Sequence, residues 1–192
     1  MVINPIIYDS KSGRAEDIFS SNLSKRIVHL VGEINEQMAA AVVGQLLYLD
    51  SLNHETISLY IYSPGGEVSS GLAILDTMNF IESPVSTVCL GMAASMGAVL
   101  FSAGEKGHRY VLPHSEVMVH QPMGGSNGQA SDILIAADHI KRTRNTLAEI
   151  LADNCSRAVD EVMQDLDRDK WMNAKEAVEY GIADGIIDRK TE

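Results

Sequence analysis

Ser95 is the side chain of this sequence best placed to act as a nucleophile. It lies in GMAASMGAVL, residues 91–100, where a strand-like run, VSTVCLGMA, gives way to small and apolar residues that suit a helix. At such a transition the first helical amides are unpaired, and with the positive end of the helix dipole they can stabilise an oxyanion. The pattern Ala93-Ala94-Ser95-Met96-Gly97 resembles the G-x-S-x-G nucleophile elbow but has Ala in the first place, which makes it a weak motif. The same small residues also suit a helix that only packs tightly. A serine hydroxyl needs an adjacent base to react, so the histidines decide between the two readings.

Six histidines are available. His120 alone ends an apolar run, EVMVHQP, and stands just ahead of Pro122, which restricts the backbone and sends a side chain over the sheet edge. His29 is mid-strand, His54, His108 and His114 fall in polar loop-like segments, and His139 sits beside Asp138 in a helical stretch. The base needs a carboxylate to fix its tautomer, and with thirteen aspartates spacing does not select one. Asp167 and Asp169 flank Arg168 in LDRDKWM, where a surface ion pair is the competing reading. In SPGG, Gly65 and Gly66 can take positive φ and bring an amide close to a ligand, although Pro-Gly also makes plain tight turns. With the Met96 amide they could form a two-donor oxyanion hole.

Positioning these residues requires strands whose carboxyl ends converge. RIVHLVGEI, ISLYIYSPGG, VSTVCLGMA and EVMVHQP read as strands, with helical patterns over NEQMAAAVVGQLLYLDSL, EVSSGLAILDTMNFI and the stretch from Ser95 to Ala103. The alternation predicts an α/β domain with a mainly parallel sheet, which collects SPGG, GMAASMG and HQPMGG at one edge. Residues 1–20, broken by Pro5 and Gly13, read as a mobile or partner-ordered arm. After GGSNGQ, too glycine-rich for a helix, ASDILIAADHIKRTRNTLAEILADNC predicts roughly seven helical turns. Its apolar residues Ile133, Leu134, Ala137, Ile140, Leu147, Ile150 and Leu151 leave two readings open. The helix either lies across its own domain or projects to pack on another subunit.

The chain has 192 residues, of which 45% are hydrophobic and 21% charged, an ordinary balance for one globular domain. A net charge of −11 disfavours sequence-independent nucleic-acid binding. Cys89 and Cys155 belong to no metal-ligand cluster, so no zinc site is expected. The start has no secretory signal and no run is long enough to span a membrane, so a soluble cytoplasmic protein is expected.

SPGGEVSSGLAILDTM, GMAASMGAVLFSAG, MVHQPMGG and DRDKWMNAKEAVEYGIAD, in this order and at these separations, resemble the proteolytic subunit of the ATP-dependent Clp protease, over about residues 14–188. The resemblance implies a crotonase-like ββα superhelix with a protruding handle, made of a strand and a long helix, over about 121–155. Residues 1–20 would be an axial arm and 21–192 a single protease domain. By motif, Ser95 would be the nucleophile, His120 the base and Asp169 the orienting carboxylate. Gly66 and Met96 would supply the oxyanion-hole amides, and Gly124 and Gly125 would lay the substrate out as an added strand. Asp167 and Arg168 match positions that pair between rings.

The implied activity is serine endopeptidase degradation of unfolded polypeptides to short peptides, inside a tetradecamer of two stacked heptamers, homomeric or mixed with a paralogue. No cofactor is implied for this chain. It has no G-x-x-x-x-G-K-[ST] loop, so ATP would be used by a separate AAA+ unfoldase such as ClpX, ClpA or ClpC. Two positions depart from the family pattern. Ser58, followed by Tyr60 and Tyr62, and Glu16 both stand where aromatics are common, in regions that dock the unfoldase and gate the pore. Such changes suit a second paralogue. A crotonase-like acyl-CoA enzyme, which needs no serine nucleophile, and an idle scaffold subunit are the alternatives to be tested.

Overall fold

The computed structural model describes residues 5–9 and 14–188. An antiparallel hairpin of β1 (Ile6–Asp9) and β2 (Arg14–Asp17) leads into α1 (Ile18–Ser24), which Asp17 caps by accepting from the Phe19 and Ser20 amides. The segment read as an arm therefore makes its own ladder and begins a helix. Of the residues read as arm, 1–4 and 10–13 lie outside the described residues, as do 189–192 of the domain.

The body alternates as the sequence pattern requires: β3 (Ile27–Val31), α2 (Glu36–Leu52), β4 (Ile57–Ser63), α3 (Val68–Phe80), β5 (Val85–Ala94) and α4 (Met96–Ser102). Asn35 starts α2 by accepting from the Met38 amide at 2.9 Å, a standard N-cap bond. Along β4 residues alternate between buried Ile57, Leu59 and Ile61 and the more accessible Ser58, Tyr60 and Tyr62, so Ser58 shares a face with an outward tyrosine.

β5 is the hinge of the sheet. Its first half pairs in parallel with β6 (Arg109–Val111), and its second half, Met92–Ala94, pairs in parallel with β7 (Glu116–Val119). The switch falls at Gly91, whose φ is 69° and whose amide donates to Ser115 Oγ at 2.7 Å. Ser115 in turn donates to Cys89 O at 3.1 Å, so one buried hydroxyl satisfies the backbone where the ladder changes partner.

The chain then passes through residues 120–129 without regular structure into α5 (Ala130–Cys155), α6 (Val159–Asp165), β8 (Lys170–Asn173), α7 (Ala174–Tyr180) and β9 (Gly185–Ile186). β8 pairs antiparallel with β7, and β9 lies parallel to β6. α5 has 26 residues, and the sequence-based choice between lying flat and projecting resolves by halves. Leu147, Ala148, Leu151, Ala152 and Cys155 are buried, whereas no residue from Ala130 to Thr146 is. Ile133, Leu134 and Ile135 are 43%, 70% and 66% exposed, so the first half projects with its apolar side chains uncovered.

The handle read over 121–155 contains its helix, but its leading segment pairs with no strand among the described residues. A glycine-rich segment has no ladder unless another backbone lies alongside. The base of α5 is fixed by Arg109, 6% exposed at its side chain, which donates to Asn154 O at 2.8 Å and to Asp184 Oδ2 at 2.8 Å.

Candidate active site

Ser95 joins β5 to α4 at φ 55° and ψ −122°, a conformation non-glycine residues rarely hold and one that costs on the order of 1–3 kcal/mol. The surroundings impose it. The Ser95 amide donates to Met118 O at 2.8 Å, and its carbonyl accepts from Ala98 and Val99. The Met96 side chain lies against Gly71 of α3, where a Cβ would come 2.2 Å from Met96 Cγ. A Cβ added at Gly97 would come 3.2 Å from Ser63 Cβ, tighter than ordinary contact. These contacts explain the run of small residues around Ser95.

Ser is a favoured helix N-cap, yet the Ser95 side chain makes no cap bond. Its Oγ lies instead 2.8 Å from His120 Nε2. The other ring nitrogen, Nδ1, is 3.0 Å from Asp169 Oδ1. The His120 side chain is only 14% exposed, while that of Asp169 is 61% exposed. A hydroxyl, an imidazole and a carboxylate joined in this order can pass a proton from Oγ to the ring while the carboxylate fixes the tautomer.

SPGG lies directly against the elbow. The buried Ser63 hydroxyl accepts from the Gly65 amide at 3.1 Å and donates to Gly32 O at 2.7 Å, which folds the turn back on β3. Gly65, at φ 96°, is so near that a Cβ there would come 2.6 Å from Ser95 Cβ and 3.1 Å from Met96 N. Gly66, at φ 151°, faces Ile34, whose oxygen would be 2.1 Å from an added Cβ. No acceptor among the described residues takes the Gly66 or Met96 amide. Two free donors on abutting turns beside a hydroxyl are the equipment that stabilises an oxyanion.

Beside the hydroxyl opens a cleft of about 450 Å³, lined by Val68, Leu72, Pro122, Met123, Ile140 and Thr146 among others. Val68 and Pro122 also border the recess at Ser95 and His120, so cleft and hydroxyl are continuous. Gly124 rests on α5, where a Cβ would come 2.8 Å from Ile140 Cδ1, and Gly125 has open space around it. The cleft walls carried no sequence signal, because they come from α3, the segment after His120 and α5, each with its own helical or loop pattern.

Of the remaining candidates His139 lines the cleft, and the others lie elsewhere. His29 packs edge-on against Phe19 and Tyr60 and meets Asn22 Nδ2 at 2.9 Å, and burial pushes its imidazole below the ordinary range. His54 pairs with Asp50 and Glu82. Asp167 and Arg168 are exposed and make no ion pair with each other, which corrects the surface-pair reading. Among the described residues the guanidinium donates only to the carbonyl of Asp167, at 3.1 Å. Burial pushes the Cys89 thiol up to about 12 and the Cys155 thiol up to about 11, so neither supplies a thiolate at neutral pH. Among the described residues no group of three His, Cys, Asp or Glu side chains could hold a metal ion, and no helix is long and apolar enough to cross a membrane.

A bent parallel sheet that gathers such a hydrogen-bonded chain at its strand ends belongs to a hydrolase of the serine type. The family model for Clp protease matches residues 10–190. The chain is 48% identical over 189 residues to an ATP-dependent Clp protease proteolytic subunit of Streptococcus agalactiae, covering 96% of each. It is 49% identical over 191 residues to that of Ligilactobacillus salivarius, covering 98% of this chain and 97% of the relative. Against the Streptococcus thermophilus subunit the identity is 49% over 188 residues, 95% and 96% of the two chains. The chain belongs to the Clp protease family, with its crotonase-like α/β fold, and so to the serine endopeptidases.

Proposed function

We propose that Ser95 attacks the carbonyl of a peptide bond, His120 takes its proton and returns it to the leaving amine, and Asp169 orients the ring. The Gly66 and Met96 amides donate to the developing oxyanion, and water then releases the acyl-enzyme. The observation that carries this reading is the chain Ser95 Oγ, His120 Nε2 at 2.8 Å, and His120 Nδ1 with Asp169 Oδ1 at 3.0 Å. The substrate lies extended along Gly124 and Gly125, where a segment with no partner strand among the described residues can take a peptide by main-chain pairing, tolerant of sequence.

The working unit is a chamber of two stacked heptamers, built from domains spanning 21–192 with residues 1–20 as axial arm and 121–155 as handle. The exposed Ile133, Leu134 and Ile135 support contact between handles, and Asp167 and Arg168, which make no ion pair among the described residues, are placed to pair across the rings. An AAA+ unfoldase feeds the chamber and uses the ATP, and this subunit needs no cofactor. The setting is the cytoplasm. Ser58 and Glu16 mark the docking and gating surfaces of a divergent paralogue.

The test is labelling of the assembled protein by a fluorophosphonate together with hydrolysis of a fluorogenic peptide. Both are expected in the wild type and lost in Ser95→Ala. Labelling that persists in Ser95→Ala, or an acyl-CoA reaction without any labelling, would overturn the assignment.

A further inference from the structure

We propose that Gln121 is a positioning residue: it holds the Asp169 loop against His120 by two hydrogen bonds, one from its backbone and one from its side chain. The proposal rests on the roles given above to Ser95, His120 and Asp169.

Asp169 is poorly restrained by itself. Its side chain is 61% exposed, and His120 Nδ1 is the one hydrogen-bond partner of its carboxylate among the described residues. An exposed carboxylate loses that geometry to water unless its backbone is fixed, because side-chain entropy and solvation both favour release. The ladder between β7 and β8 ends at Val119 and Lys170, so it does not reach the loop at 166–169 that carries the carboxylate.

Gln121 supplies the missing restraint. Its amide donates to Leu166 O at 2.7 Å, and its side-chain Nε2 donates to Asp167 O at 3.1 Å. Leu166 is itself immobile, 1% exposed and bonded from its amide to Val162 O at 2.9 Å. Across the base of the loop, Lys170 Nζ meets Asp165 Oδ1 at 2.5 Å. The loop is thus tied at its start to α6, at its end by an ion pair, and along its length to the residue next to His120. Gln121 neither reaches Ser95 nor lines the cleft. Its loss should therefore slow the chemical step and leave substrate binding alone.

The experiment uses the full chain in its assembled form. Gln121→Met keeps the length and removes the donor, and Gln121→Lys restores a donor of similar reach. Gln121→Met is expected to lower kcat about tenfold, as a small misplacement of a catalytic group does, with KM unchanged and fluorophosphonate labelling slowed in parallel. Gln121→Lys should recover most of the loss. Placed on Asp169→Asn, the Met change should add nothing, because the two act on one element. A wild-type kcat in Gln121→Met, a loss that Lys does not restore, or a full further loss on Asp169→Asn would each overturn the proposal. Wild-type protein that fails to label at Ser95 would instead overturn the catalytic assignment on which it rests.

Discussion

His120 and Asp169 face each other one step beyond the last rung of an antiparallel ladder. Val119 pairs with Lys170, and the next residue on each strand is one of the two. Their 3.0 Å contact continues the strand register one residue past the ladder, where Gln121 holds the loop, and a slip of β8 by one residue would send Asp169 to the other face.

This geometry supports the orienting role proposed for Asp169. Asp169→Asn should leave the fold and assembly intact and reduce peptide hydrolysis by about 10²- to 10³-fold. That is less than the loss expected where the carboxylate is buried, because water can reach an aspartate as exposed as this one. Steady-state kinetics beside a thermal melt would show the effect on activity without one on stability.

Gly66 is expected to tolerate no side chain. Its φ of 151° and the 2.1 Å approach of Ile34 O to an added Cβ imply that Gly66→Ala destabilises by at least about 2 kcal/mol. The change also displaces an amide assigned to the oxyanion, so activity should fall further than stability accounts for. Denaturant titration and labelling rate, measured on the same sample, would separate the two losses.

The Arg109–Asp184 pair gives the fold an acid-sensitive clamp. Burial opposes the charge on Asp184, but hydrogen bonds from the Arg109 side chain, with the Arg109 and Gly107 amides, outweigh it and hold the carboxyl below its ordinary value. A depressed carboxyl contributes stability that is complete above its unfolded value, near 4, and lost as pH falls through the folded value. Asp184→Asn should lower stability by about 3 kcal/mol at pH 7, because it strands the buried guanidinium. The penalty should shrink below pH 4, and a melt series against pH would test the sign.

Leu134, at the exposed start of α5 and outside the cleft lining, should matter to assembly alone. Leu134 is 70% exposed, so Leu134→Asp is expected to change the stability of the chain by less than about 0.5 kcal/mol. In sedimentation the double ring proposed above should give way to smaller species. An unchanged particle would remove this helix from the interface.

Some of this architecture is legible residue by residue. Asn35 ahead of a helical stripe, alternation through ISLYIYS, and the switch from strand to small residues at Ser95 lead to α2, β4 and the elbow. The short β6, β8 and β9 carried no pattern of their own, because strands of two to four residues are decided by what lies beside them. The handle helix was visible in its length. That only its second half is buried was not, since apolar residues punctuate both halves.

The chemistry divides in the same way. Residue type and local pattern made Ser95, His120 and the SPGG glycines candidates beside plainer structural readings, and it was the family pattern that chose them. Choosing Asp169 among thirteen aspartates needed the family pattern or the fold, since a carboxylate acquires its role from a ladder register 49 residues away from His120 in sequence. Gln121 and the cleft walls were decided by tertiary structure alone. Their function lies in contacts between segments distant in the chain, and no local spacing encodes a contact that only packing creates.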